Sequence, residues 1–351
     1  MSRAICVAKR GRYTCDPNPR VGCVISKNDQ QIAEGWHVVT GEAHAEINAL
    51  KQCDDASNST VYLTLEPCSH HGRTPPCVDA LIKANVKEVI IAMLDPNPLV
   101  SGSGIKKLEE SGIIVRKGLL EAEAAKLNPG FIKRMTSAMP YVCCKMAMSL
   151  DGRIALANGD SQWISSEQAR GDVHRLRAAS SAILSTVDTV IEDDASLNAR
   201  NLDFEFTQAV RVIVDRQLKV PKQAKIFTIP GKIIIYTEKE NDDRISELES
   251  ASVEVVSLPV SKSWLLNVFS HLAKEHEINE LMVEAGATFS GVLIEAGLVD
   301  ELVVYMAPML LGDNAQALLK LNPLEKLSEA KKMTLTDVRQ VGPDLRITYN
   351  I

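Results

Sequence analysis

Four residues between positions 44 and 77 hold the densest chemistry in this chain: His44, Glu46, Cys68 and Cys77. One imidazole and two thiolates are three of the four ligands that zinc usually takes. They leave the fourth position for water, as a catalytic site requires and a structural site does not. Glu46 lies two residues from His44, near enough to reach that water without ligating the metal. Read alone, His44-Ala45-Glu46 also occurs by chance in helices, and buried cysteines serve elsewhere as small hydrophobes. These residues by themselves therefore leave both metal binding and plain packing open.

The flanking segments suit a site. Ile47, Ala49 and Leu50 allow a short amphipathic helix with His44 and Glu46 in its first turn. Residues 60–65 read as a buried strand from their β-branched and apolar content. Pro75-Pro76-Cys77 opens a second helix with proline where a helix tolerates it, and a thiolate at a helix N-terminus is stabilised by the dipole. Zinc nucleobase deaminases divide the labour this way: the metal lowers the pKa of water and a glutamate shuttles protons to the departing amine. Their signature usually ends Pro-Cys-x-x-Cys, whereas here eight residues separate the cysteines.

That longer insert, Pro67-Cys68-Ser69-His70-His71-Gly72-Arg73-Thr74-Pro75-Pro76-Cys77, closely resembles the zinc segment of the bifunctional riboflavin-biosynthesis deaminase-reductases. The resemblance extends to Asn18-Pro19-x-Val21-Gly22, Asp95-Pro96-Asn97-Pro98, Ser149-Leu150-Asp151-Gly152-Arg153 and Val283-Glu284-Ala285-Gly286, nearly the whole chain. It implies a cytidine-deaminase-like three-layer α/β/α domain over residues 1–139 and a dihydrofolate-reductase-like α/β domain over residues 140–351. It further implies one zinc ion per chain, held by His44, Cys68 and Cys77, with Glu46 catalytic, and NADPH as the second cofactor. The substrates would be small phosphorylated pyrimidines, and a homo-oligomer is expected. In the first domain, Asn18, His37, His70, Arg73, Asp95 and Asn97 carry over as substrate contacts. In the second, Ser161, Arg177, Leu197, Arg200 and Glu284 carry over for substrate, and Lys145, on the strand before Ser149, joins them as a basic residue. The nicotinamide cofactor should meet Ala147, Trp163, Thr189, Asp193 and the run Gly286, Ala287, Thr288, Phe289, Ser290, Gly291 and Val292. Relatives often carry a glycine-containing segment before Thr-Val and a proline after Asp-Asp; this chain has Ser185-Thr186-Val187-Asp188-Thr189-Val190 and Asp194-Ala195.

Length and composition agree. A chain of 351 residues is too long for one ordinary core, and 45% apolar with 24% charged residues is usual for a soluble globular protein. No apolar run approaches a membrane span and no signal-peptide layout opens the chain, so a cytoplasmic protein with mostly free thiols is expected. A net charge of −6 argues against nucleic acid as a partner, while a local Arg and Lys cluster would still serve a small anion.

Along the rest of the chain, paired strands are expected at 21–26 and 32–39 around Lys27-Asn28-Asp29, with His37 ending the second. A buried strand at 87–94 runs into the Asp95–Asn97 loop, at a strand end where open α/β sheets commonly bind ligands. Gly102-Ser103-Gly104 reads as a glycine-rich helix entry, followed by a strand near Ile113 and one helix over 119–134. Pro140 marks the domain boundary. Beyond it, strands are expected at 141–148, 182–185, 211–215, 232–236, 253–256, 280–284 and 301–307, with a closing pair at 333–340 and 345–350. Ser165-Ser166-Glu167-Gln168 can form a capping box for a helix through Ala178, and Asp151 is expected to order its own turn. Backbone N–H groups after Gly286 suit a dinucleotide phosphate, and the GxGxxG fingerprint of a doubly wound domain is absent. Three rival readings stand beside this one. They are another zinc deaminase acting on cytidine, dCMP or a tRNA adenosine, a non-catalytic zinc-stabilised binding protein, and a deaminase whose second domain has lost reduction.

Overall fold

The computed structural model describes every residue except 70–74, 99 and 241. The chain divides into two compact units, Met1–Met139 and Pro140–Ile351. No helix among the described residues is long and apolar enough to cross a membrane.

The first unit is built on a five-stranded sheet. Its strands are β1 (Gly22–Lys27), β2 (Gln30–Trp36), β3 (Thr60–Leu63), β4 (Glu88–Ile91) and β5 (Ile114–Lys117), in the order β2-β1-β3-β4-β5. β1 pairs antiparallel with β2 and β3, while β3, β4 and β5 run parallel. Helix α1 (Ser2–Ala8) packs on β1 and β2. Alternate strand residues Cys23, Ile25, Val61, Leu63, Val89 and Ile91 form one core with Ala45, Ala49, Val78, Leu81 and Leu108. Those last five lie on or beside α2 (Ala45–Leu50), α3 (Cys77–Lys83) and α4 (Ser103–Glu110). A smaller cluster joins Leu65, Ala92 and Met93 to Ile5, Ala124, Phe131 and Ile132. The expected single helix over 119–134 is two, α5 (Glu121–Ala125) and α6 (Pro129–Ser137), because Pro129 cannot continue a helix and instead starts one.

The second unit holds a nine-stranded sheet. In chain order its parts are β6 (Tyr141–Ser149), β7 (Arg153–Ala155), α7 (Glu167–Ala178), β8 (Ala182–Thr186), α8 (Val187–Asp193), β9 (Val210–Val214), β10 (Ile233–Thr237), α9 (Asp242–Leu248) and β11 (Val253–Ser257). There follow α10 (Trp264–Glu275), β12 (Glu280–Val283), α11 (Ala287–Glu295), β13 (Glu301–Ala307), β14 (Gln316–Ala317), β15 (Thr334–Val341) and β16 (Asp344–Asn350). The sheet order is β11-β10-β9-β8-β12-β6-β13-β16-β15, and β7 pairs with β14 apart from it. All pairs from β11 to β13 are parallel, and β16 and β15 close the sheet antiparallel. Residues buried on both faces of the parallel run, such as 233–236, explain why these strands read as unbroken apolar stretches.

One local expectation is corrected and one is extended. The helix through Ala178 starts from a simple cap: Ser166 Oγ accepts from Ala169 N, so the third helical residue is Ala169 and no capping box forms. Asp344 accepts from the Ser166 backbone N–H and hydroxyl, tying that cap to the closing hairpin. Asp151 does more than order its turn, since it also accepts from Leu311 N and Gly312 N.

Candidate active sites of the two units

In the first unit, His44 is the extended N-cap of α2 rather than part of its first turn, and Glu46 is the second helical residue. Gly35 on β2 makes this placement possible, because a Cβ there would come within 2.4 Å of the Ala49 nitrogen and push α2 away. Cys77 opens α3 and Cys68 lies in the segment that follows Glu66. His44 Nδ1 stands 3.3 Å from Cys77 Sγ and 3.6 Å from Cys68 Sγ, and the three ligand atoms lie within 4.8 Å of one another. Ligand atoms about 2.0–2.3 Å from one tetrahedral centre are roughly 3.3–3.8 Å apart, so the cluster fits zinc.

Glu46 is 3% exposed, and its Oε2 is buried with no hydrogen-bond partner. A buried carboxylate oxygen left unpaired is costly, and here it lies beside a set of metal ligands. Burial, reinforced by the Cys68 charge, pushes the Glu46 carboxyl up to about 7; a zinc ion nearby would draw it down. The hydrogen bond from Cys77, then that with His44, pulls the Cys68 thiol down to about 4, and the same Cys68 contact pushes Cys77 up.

His37 falls one residue beyond β2 and is 2% exposed. Its Nδ1–H donates to the Ala43 carbonyl at 3.2 Å, which leaves Nε2 to accept from Asn18 Nδ2 at 3.0 Å. Burial lowers the pKa of this imidazole, and its ring packs edge-on to His44 with centroids 5.2 Å apart. Asn18, His37 and His44 thus form one contact chain. Asp95 and Asn97 sit in the loop after β4, where Asp95 Oδ1 accepts from Asn97 N at 2.8 Å. His70 and Arg73 lie outside the described residues.

In the second unit, a cavity of about 900 Å³ gathers every expected substrate residue: Lys145, Ser161, Arg177, Leu197, Arg200 and Glu284. Ala147, Trp163, Thr189 and Asp193, expected to meet the cofactor, line it as well. A second cavity, of about 850 Å³, shares Ile154 and Thr189 with the first and is lined by Gly286, Ala287, Thr288, Phe289 and Val292. Both open at C-terminal ends of parallel strands, where α/β sheets bind ligands. Gly286 is extended, and a Cβ on it would meet nothing within 4 Å, so the chain leaves room beside the N-terminus of α11. Two members of the expected run face elsewhere. Ser290 is fully buried with its hydroxyl donating to Ala285 O, and Gly291 packs on the Lys320 backbone.

Arg177 and Glu284 form a two-pronged ion pair, Nε–Oε1 at 2.5 Å and Nη2–Oε2 at 2.9 Å, with Arg177 Nη1 donating to Asn198 O. Lys145 Nζ lies 3.9 Å from Glu284 Oε2. Burial alone would raise the Glu284 carboxyl, but Arg177 and then Lys145 override it and hold it at about 2. The guanidinium fork of Arg177 is occupied by Glu284 and is not free to grip a phosphate bidentately. Arg200, exposed and donating to Asn198 Oδ1, keeps donors for an anion.

Sequence reasoning missed three features here. His174 lines the first cavity on α7, and burial followed by the Arg177 and Arg200 charges pulls its pKa down to about 4. Arg216 and Lys262 line the second cavity, with Arg216 braced by the buried Glu238 carboxylate at 2.6 Å. Glu66 is the third. Spacing could have flagged His174, three residues before Arg177 on one helix face. Nothing local marks the other two.

These shifts give the second unit an acid response in two stages. His174 protonates more readily in the unfolded chain, so its contribution is complete above pH 6.5 and is lost as pH falls through about 4. Glu284 contributes about 3 kcal/mol, complete above pH 4.5 and lost as pH falls towards 2. Urea titrations followed by the fluorescence of Trp163 and Trp264, the tryptophans left in a Trp36→Phe background and both in this unit, should show both stages. A His174→Asn chain should show a smaller upper stage, to which His276, also shifted down by burial, contributes as well, and an unaltered upper stage would refute the assignment.

The comparisons agree with this geometry. Residues 1–93 match the model for the cytidine and deoxycytidylate deaminase zinc-binding region, and residues 140–347 match that for the RibD C-terminal domain. The chain is 46% identical to riboflavin biosynthesis protein RibD of Escherichia coli K12, over 98% of this chain and 96% of that protein. It is 45% identical to the Haemophilus influenzae protein of the same name, over 99% and 96%. Among solved structures, Acinetobacter baumannii RibD superposes with a TM-score of 0.93 at 43% identity, covering 99% of this chain and 97% of that one. A Thermotoga maritima diaminohydroxyphosphoribosylaminopyrimidine deaminase/5-amino-6-(5-phosphoribosylamino)uracil reductase does so with a TM-score of 0.88 at 33% identity, covering 100% and 97%.

Fold and sites therefore define a two-part enzyme, a zinc-dependent deaminase domain followed by an NADPH-dependent reductase domain. The chain belongs to the RibD family, the bifunctional deaminase-reductases of riboflavin biosynthesis.

Proposed function

We propose that Met1–Met139 deaminates 2,5-diamino-6-(5-phosphoribosylamino)pyrimidin-4-one, and that Pro140–Ile351 then reduces the ribosyl group of the resulting 5-amino-6-(5-phosphoribosylamino)uracil to ribityl. The observation that carries the first step is the buried Glu46 carboxylate, its Oε2 without a partner, beside His44, Cys68 and Cys77. Zinc held by those three ligands would lower the pKa of a water in its open position. Glu46 takes a proton from the attacking water and returns it to the departing amino group, so that water and the amino-pyrimidine become the carbonyl product and ammonia. His37, kept neutral and oriented by Ala43, presents with Asn18 a polar wall beside His44. Asp95, Asn97, His70 and Arg73 complete the substrate contacts.

In the second step bound NADPH would supply the two-electron reduction at the sugar C1, which must be in its open, imine-like form to accept it. Arg200 and Lys145 meet the phosphorylated sugar, and Glu284 orients both Arg177 and Lys145. Ala147, Trp163, Thr189 and Asp193 place the nicotinamide end, and Gly286–Phe289 with Val292 the phosphates. Arg216 and Lys262 in the second cavity suit a cofactor with an additional phosphate, which favours NADPH over NADH. The protein is read as a cytoplasmic homo-oligomer, supported by exposed Leu335 and Val338 on edge strand β15. Its net charge of −6 argues against nucleic acid as a partner, while small anionic substrates need only the local cluster of Arg and Lys.

The test supplies the phosphorylated diamino-pyrimidine and follows ammonia release and NADPH oxidation separately. Both signals are expected. Ammonia without NADPH oxidation would reduce the second unit to a binding module, and no ammonia would end the deaminase reading.

A further inference from the structure

Glu66 is a buried carboxylate that the reaction does not use directly. It follows β3 and Leu65, and is 4% exposed. Four backbone N–H groups converge on it. Oε2 accepts from Asp95 N at 3.2 Å and Gly102 N at 3.0 Å; Oε1 accepts from Gly104 N at 3.0 Å and Ile105 N at 3.4 Å. Its own N–H donates to Met93 O, so both side chain and backbone hold the end of β4. The approach is close enough to require glycine at 104, where a Cβ would lie 2.3 Å from Pro67 O. One residue past Cys68, Ser69 Oγ meets Ser103 Oγ at 2.7 Å, a second tie between the same segments.

A carboxylate at the first turn of α4 is stabilising by itself, because the helix N-terminus offers unpaired donors and a partial positive charge. Stability alone does not explain its reach. One oxygen pair spans the entry of α4 and the first residue of the Asp95–Asn97 loop, while the chain leaving Glu66 reaches Cys68 two residues on. Groups behind metal ligands that fix their direction commonly tune affinity and activity as strongly as the ligands.

We propose that Glu66 is a positioning residue of the deaminase, which holds the Cys68-bearing segment in register with the Asp95–Asn97 loop. The proposal rests on the deaminase reading given above. Glu66 touches neither substrate nor metal; it acts through Cys68 on one side and Asp95 on the other.

The test is Glu66→Gln in the full chain. Whichever way the amide turns, its NH2 faces two backbone N–H donors, so two of the four bonds are lost. Zinc release to a chromogenic chelator should be faster, and KM for the diamino-pyrimidine higher, each by on the order of 10–100-fold. NADPH oxidation with the deaminated pyrimidine should keep wild-type KM and kcat, an internal control in the same chain. A carboxylate with only a structural role would lower the melting temperature and leave zinc release and KM of the folded protein unchanged; that result overturns the proposal. A wild type that releases no ammonia would instead end the underlying reading, while zinc release would still judge Glu66. Should the variant fail to fold, amide exchange in the wild type decides. The amides of Asp95, Gly102, Gly104 and Ile105 should exchange about tenfold faster or more after zinc removal, and equal rates with and without zinc overturn the proposal.

Discussion

Glu46→Gln is expected to stop ammonia release while zinc content and the reductase activity stay as in the wild type. The substitution keeps size and burial but removes the only group in the site able to accept and return a proton at the position Glu46 occupies. General acid–base catalysis by one placed side chain contributes about 10²–10⁴-fold, so deamination should fall by that range. His44, Cys68 and Cys77 are untouched, and zinc should remain at one per chain. Folding should not suffer, because Oε2 of Glu46 makes no hydrogen bond to lose and a neutral amide is cheaper to bury than a carboxylate. Given the deaminated pyrimidine, the variant should oxidise NADPH at the wild-type rate. Deamination within about threefold of wild type would remove Glu46 from the mechanism, well outside the range for a lost acid–base group. Loss of zinc would instead place it among the ligands.

Arg177→Ala should have the second large effect, confined to the other activity. Glu284 is largely shielded, with its side chain 12% exposed, and its two oxygens are bound by Arg177 Nε and Nη2. Removing one partner of such a pair leaves a buried charge uncompensated, at a cost of about 3–5 kcal/mol. Lys145, 3.9 Å away and itself shifted down by burial, can offset only part of this. The second unit should unfold at markedly lower urea, with reduction lost and ammonia release intact. The double replacement Arg177→Met with Glu284→Met separates structure from function, since an apolar pair of similar volume often restores stability. It should recover folding but not reduction. Recovery of both would show that the pair is scaffolding and that the cavity acts without it.

The zinc site was legible because its chemistry is local. His44 and Glu46 are two residues apart, Cys68 and Cys77 bracket one insert, and His44, Glu46 and Cys77 sit at the starts of helices that the sequence marks with proline or apolar spacing. The strand cores of both units were legible too, since parallel strands buried on both faces read as apolar runs. Their ends were not. The strand expected at 87–94 stops at Ile91 and that at 60–65 at Leu63, because pairing with a neighbour rather than apolar content ends a strand.

What the tertiary structure alone decided is how distant segments meet. Arg177 and Glu284 are 107 residues apart and pair because β12 lies beside β8 in the sheet, a register that no local pattern encodes. Ser290 and Gly291 turn inward because α11 packs against the Lys320 segment, while their neighbours Gly286 to Phe289 stay on the cavity. Glu66 looks in sequence like a stray acid at the end of a buried strand. Its four donors come from the loop after β4 and from the start of α4, 29 to 39 residues further on. Residue types and short spacings therefore set the reactions available to this chain. The fold sets which charges are paired, which remain free for substrate, and which backbone donors gather on a single carboxylate, because these depend on contacts that form only when the sheets close.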